Sequence, residues 1–122
     1  MFKRSLADSP KRIRPGLVSC ILLQSGDTPT DNLSIARVEV ESNSHQEPHH
    51  HVPEQAYIIV NGNGRIKVGS EIADVQAGDL LYIPSNVEHA VENAGPEKLI
   101  YFSVTVPAFD IEALYDKGRL KR

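Results

Sequence analysis

From Gly16 to Pro107 the chain divides into short runs rich in Val, Ile and Tyr, each closed off by Gly, Pro, Asn or Ser. The runs are "GLVSCILL", "SIARVEVE", "QAYIIVN", "GRIKVG", "EIADVQ", "DLLYIP", "EHAVEN" and "KLIYFSVTVP". β-branched and aromatic residues fit a pleated, half-buried surface, and runs this short suit strands rather than helices. Helical periodicity first appears in "FDIEALYDKG", near the end. Eight short strands at close spacing predict an all-β meander closed into a sandwich or barrel, in preference to any βαβ arrangement. The pairs Asn61-Gly62 and Asn63-Gly64 mark a tight reversal, because Gly, and less readily Asn, supplies the positive φ that such turns need.

At 122 residues, with 40% hydrophobic and 24% charged, the chain is sized for one domain with a real core and is too short for two. The expected layout is a basic N-terminal extension over 1–16, the β-domain over 17–108, and a C-terminal tail over 109–122 carrying a short helix. No apolar run approaches the length that spans a bilayer, and "MFKRSLADSPKRIRPG" lacks the apolar middle of a secretory signal, so a cytoplasmic protein is expected. Cys20 is the single cysteine; it cannot form an internal disulfide and reads as a small buried hydrophobe. The net charge of -3 hides a segregation. Nine of the 13 basic residues lie within 1–14 or 117–122, where Asp8 is the one acidic residue. Basic ends can seek nucleic acid, but no recognition helix or aromatic-basic interleaving accompanies them. They are expected to be solvated or to lie on the acidic barrel, the chain's own or a partner's.

The segment "PHHHVPEQAYIIVNG", Pro48 to Gly62, carries the chemistry. Alternate side chains of an extended strand share a face, so His49 and His51 point together and His50 points away. Gln55 is a further candidate for that face, although Pro53 breaks the simple parity. In "YIPSNVEHAVEN", Pro84 to Asn86 form a turn, after which His89, Val91 and Asn93 share one face and Glu88 and Glu92 the other. The charged pair suits solvent, so His89 faces inward.

These two segments resemble the cupin superfamily. Its first motif runs G-x5-H-x-H-x3-E-x6-G and its second G-x5-P-x-G-x2-H-x3-N. In the first, His49 and His51 match the histidines, Gln55 stands at the glutamate position, and Gly62 closes. In the second, Gly78, Pro84, His89 and Asn93 match. Asn43 and Asn86 replace two glycines, a mild change because Asn is the next most tolerant of positive φ. Fifteen residues separate the motifs, as in short single-domain cupins.

The resemblance implies a small antiparallel jelly-roll-like β-barrel holding one divalent transition metal per chain (Zn, Fe, Mn or Ni) on His49, His51, Gln55 and His89. A Gln at the acidic position is shared with cupins of the pectin-degradation type. Three imidazoles and an amide form a neutral ligand set, so the ion keeps its full charge and suits an anionic small molecule. The leading functional expectation is an enzyme using the ion as a Lewis acid on a carboxylate- or sugar-derived substrate, by isomerase, lyase or ring-opening chemistry. Glu54 or Tyr57 is the candidate proton carrier. A metal-dependent dioxygenase and a non-catalytic binder stay open beside it. His45 and His50 read as surface residues, Arg37 with Glu39 and Glu41 as a solvated face, and Asn93 as serving a turn or the barrel. Small cupins resembling this one commonly form homodimers, and "GLVSCILLQ" is apolar enough to pair across a two-fold axis.

Overall fold

The computed structural model describes residues 1–29 and 31–108; the tail expected over 109–122, with its helix, lies outside them. Ten strands are described: β1 (Lys11–Arg14), β2 (Leu17–Leu23), β3 (Ser34–Val40), β4 (Ser44–His49), β5 (Glu54–Asn61), β6 (Asn63–Val68), β7 (Glu71–Gln76), β8 (Leu80–Ile83), β9 (His89–Asn93) and β10 (Leu99–Val106). They form two antiparallel sheets, β1-β2-β3-β10-β5-β8 and β4-β9-β6-β7, which face each other as a jelly-roll-like barrel. No described helix is long and apolar enough to cross a membrane.

The eight expected runs are all strands, and two more join them. β1, "KRIR", falls inside the segment read as an extension; it folds back through Gly16 (φ 75°) and pairs with β2. Its side chains look like a charge run because backbone pairing asks nothing apolar of an edge strand. β4, "SHQEPH", escapes a hydrophobicity reading because its buried positions, Gln46 and His49, are polar. β2 is hydrogen-bonded to β1 on one side and β3 on the other, so "GLVSCILLQ" is not an edge strand and could meet a partner through its side chains, not by extending the sheet.

Register lays the inward-facing residues out in layers. At one level Leu17, Val40 and Leu99 lie side by side, each nearly or fully buried. Gly64, from the opposite sheet, closes this level: a Cβ there would fall 2.6 Å from the Leu99 side chain, so only glycine leaves Leu99 its place. Ile66 and Val91, cross-strand partners, continue the apolar cluster. Six residues further along β10 the level reads Ser34, Thr105, Gln55 and Ile83, which is largely polar although every member is buried. Asn43 (φ 61°) and Asn86 (φ 59°) do adopt the positive φ expected at the glycine positions, and they turn the chain into β4 and toward β9.

The basic N-terminus is partly tied to the acidic barrel. Arg4 donates to both carboxylate oxygens of Asp27, at 2.7 and 3.3 Å, and to the Leu22 carbonyl at 3.2 Å. Cys20 is buried, as expected of a small hydrophobe.

Candidate metal centre

The polar level of the barrel is where the histidines meet. His49 ends β4 and pairs across to His89, the first residue of β9. The β4 register slips between Gln46 and His49, so these residues, three apart, are both buried. His51 lies beyond the strand, in a loop pinned where the Asn86 amide donates to the His51 carbonyl at 2.8 Å. Ring centroids stand 4.2 Å apart for His49 and His89, 5.0 Å for His51 and His89, and 5.7 Å for His49 and His51. One ligand atom from each falls within 4.8 Å of the others, so the three can hold a metal ion. His50 and His45 are exposed, and His45 pairs with Glu47 at the surface.

The protons of these rings are set by their backbone neighbours. Nδ1 of His49 bonds the Glu47 carbonyl at 2.8 Å, that of His51 the Pro53 carbonyl at 2.8 Å, and that of His89 the Val87 carbonyl at 2.9 Å. A carbonyl only accepts, so in His49 and His89 the Nδ1 carries the hydrogen and the neutral ring presents a lone pair at Nε2; His51 faces an acceptor at each nitrogen, the Pro53 carbonyl being the nearer. This is the arrangement that outer partners impose on metal-binding histidines. Burial also disfavours the charged rings. It pushes His89 down to about 4, aided by His51 and His50 and opposed by the Val87 bond. His51 is lowered too, again chiefly by burial, with the Pro53 and Gln55 bonds opposing. Nε2 of His89 is buried without a hydrogen-bond partner, an arrangement costly unless an electron-pair acceptor sits there.

Gln55, on the inward face of β5, joins the cluster. Its Nε2 donates to Thr105 Oγ1 at 2.9 Å and Ser103 Oγ at 3.3 Å, which turns Oε1 toward His51 Nε2 at 3.1 Å. With the His51 proton on Nδ1 both facing atoms carry lone pairs, whereas a proton on Nε2 makes the same contact a hydrogen bond to Gln55. Tyr57 donates to the same Oε1 at 3.3 Å, and its ring centroid is 6.3 Å from that of His89. Glu54 is not brought to this point. It alternates with Gln55, so it sits exposed on the outside of β5, where Tyr82 donates to it at 3.1 Å. The reason is strand parity: β5 is regular from its first residue, and Pro53 precedes it.

Four buried polar residues beside the cluster were not singled out by spacing. Ser103 and Thr105 orient Gln55; Tyr101 stacks on Tyr57, centroids 4.5 Å apart, and donates to Gln46 at 3.2 Å. The signal for the first two is present in "LIYFSVTV". Its inward positions run Leu, Tyr, Ser, Thr while its half-buried outward positions include Ile, Phe and Val. Such reversed amphipathicity marks a polar lumen. Asn93 has the structural role expected: it donates to the carbonyls of Val40 and Glu97 at 2.9 and 2.8 Å and accepts from the Gly95 amide at 3.0 Å.

Comparison with known proteins adds to this geometry. Residues 36–105 match the family model described as "Cupin domain". The chain is 32% identical over 63 residues to protein MJ1618 of Methanocaldococcus jannaschii, covering 52% of this chain and 50% of that one. It is 39% identical over 52 residues to the dimethylsulfoniopropionate lyase DddW of Ruegeria pomeroyi, covering 43% of this chain and 34% of that one. The match therefore spans half or less of these relatives' length. The solved structure of KdgF from Halomonas sp. is similar with a TM-score of 0.73 at 20% identity, covering 85% of this chain and 91% of that one, which shows a common fold.

Proposed function

Because the chain belongs to the cupin domain family, we propose that it is a metal-dependent enzyme acting on a small carboxylate-bearing molecule by lyase, isomerase or ring-opening chemistry. The residues that would hold the ion are His49, His51 and His89 through Nε2, with Gln55 through Oε1. The observation carrying this reading is the convergence of His49, His51 and His89, whose ligand atoms all lie within 4.8 Å of one another, with the Nε2 of His89 buried and unpartnered. A divalent cation suits that donor set, and what it supplies when bound is Lewis acidity toward a substrate oxygen.

The chain's own residues do the rest. The Gln55 amide gives its NH2 group to the hydroxyls of Ser103 and Thr105, which leaves its oxygen on the side of the histidines. No carboxylate enters the ligand set, which leaves the site positive and selects an anion. Tyr57 is the proton carrier that fits: its hydroxyl is inside the barrel, hydrogen-bonded to Gln55 Oε1, and the residue is 2% exposed. Glu54 lies on the outer side of β5, bonded to Tyr82, away from the histidines. The similarity to DddW, named as a lyase of a propionate, supports the lyase class and a carboxylate substrate.

Calorimetric titration of zinc, and then of a simple carboxylate, into wild type, Gln55→Glu and Glu54→Gln tests the assignment. Gln55→Glu is expected to tighten zinc and weaken the carboxylate, because it adds a negative charge to the site. Glu54→Gln should change neither. If Glu54→Gln loses zinc while Gln55→Glu alters neither affinity, the ligand set is wrong. Turnover that requires oxygen would instead mark a dioxygenase.

A further inference from the structure

The two sheets are not joined all the way round. β8 ends the larger sheet and β7 the smaller, and between these edges lies a cleft of about 500 Å³. Its walls include Ile66 and Val68 of β6, Ala73 of β7, Leu81 of β8, and Val87 from the turn before β9. Val68 and Leu81 are partly buried and pack against the core, so they border the lumen as well as the cleft. Register shows which part of the lumen they border: Val68 is the cross-strand partner of His89, and Leu81 that of Tyr57. The cleft is thus separated from the proposed site by one layer of side chains, Val68 and Leu81, which are the register neighbours of His89 and Tyr57.

We propose that this cleft seats the apolar body of a monoanionic ligand whose charged head lies at the histidines; the head rests on the reading above, the body on the cleft alone. Three polar side chains line it. Ser70 offers one hydroxyl, Tyr82 is engaged with Glu54, and Glu71 brings negative charge. A polyhydroxylated sugar acid would exchange its water hydrogen bonds for apolar walls there, which is costly. Methylene groups gain from the same walls, and Glu71 disfavours a second anionic group on the ligand. An aliphatic or aryl monocarboxylate fits this chemistry, and a uronate does not.

The test is calorimetry on zinc-loaded protein with acetate, butyrate, hexanoate and galacturonate. Hexanoate is expected to bind at least about tenfold tighter than acetate, the gain from burying two of its four extra methylenes at roughly fourfold each. Galacturonate should bind no tighter than acetate. Ala73→Phe fills the cleft and should bring hexanoate within about twofold of acetate, with acetate affinity and zinc stoichiometry kept. Ala73→Leu is the milder filling should the Phe variant misfold, and Ile58→Ser on the outer face of β5 should leave the series unchanged. Equal affinity along the series, or a hexanoate preference that survives both fillings, overturns the proposal. Failure of wild type to bind zinc or acetate sinks the metal reading instead. Hexanol, an uncharged probe, then decides the cleft: contacts with the Ala73 and Leu81 methyl groups by NMR support it, and their absence overturns it.

Discussion

The two ends of the barrel interior are built by the same strands and filled with opposite chemistry. β10 runs through both: Leu99 lies against Gly64 in the apolar end, while Ser103 and Thr105 hold Gln55 in the polar end. Both ends are buried, so exposure does not separate them. What separates them is how their groups are satisfied. The apolar end needs only close packing, and any loss of volume there is felt as stability. In the polar end each histidine spends one nitrogen on a backbone carbonyl and presents the other to a shared point. One end maintains the fold; the other keeps lone pairs out of water for a partner that accepts them.

Substitutions can break this contrast, and the largest effect is expected from the polar end. His89→Ala or His51→Ala should abolish stoichiometric zinc binding while the barrel still unfolds cooperatively in urea; full zinc occupancy in both variants would end the metal assignment. Leu99→Ala, at the other end, should cost about 2–5 kcal/mol of unfolding free energy, yet leave zinc stoichiometry intact in the folded protein. If instead it removes zinc and spares stability, the two ends are not distinct.

Acid should act on one end only. The folded-state value of His89 is depressed to about 4 from 6.5, so between these pH values the unfolded chain binds more protons than the folded one. Stability of the metal-free protein is therefore expected to fall as pH drops from about 6.5 to 4, by up to roughly 3 kcal/mol. It should be flat above that window as far as this group is concerned. His51 shifts in the same direction. Urea midpoints at pH 7 and 5 should show the loss in wild type and in Leu99→Ala, and a smaller loss in His89→Ala. A slope unchanged in His89→Ala would refute it.

Thr105→Val removes the shorter of the two bonds that orient Gln55 and should weaken zinc by about tenfold, the lower range for partners of metal ligands. Gln55→Glu in that background should restore the affinity, since a carboxylate offers oxygen from either side; no recovery would show that Thr105 acts by packing alone. The smallest effect expected is that of His50→Ala, which should leave zinc affinity and stability within error, because His50 is exposed.

Much of this was open to reading in the sequence because it depends on neighbours along the chain. Alternation of side chains and turn chemistry are properties of single segments, so the eight strand runs and the inward aim of His89 follow from spacing. The positive φ at Asn43 and Asn86 was implied instead by the family motif, and His49 and His51 are both buried although His51 lies in a loop past β4 where strand alternation does not apply. β1 and β4 did not, because a strand made of charged or polar residues carries no hydrophobic period.

What the tertiary structure alone decided concerns partners distant in sequence. Gln55 meets Ser103 and Thr105 across 48 and 50 positions, and Gln46 meets Tyr101 across 55. Those meetings are set by cross-strand register and by how the two sheets close, which no local preference specifies. The outward side of Glu54 and the inward side of Gln55 were likewise settled only when β5 took its place between β10 and β8. Local sequence determined which residues point the same way; the packing of one sheet on the other determined what they point at.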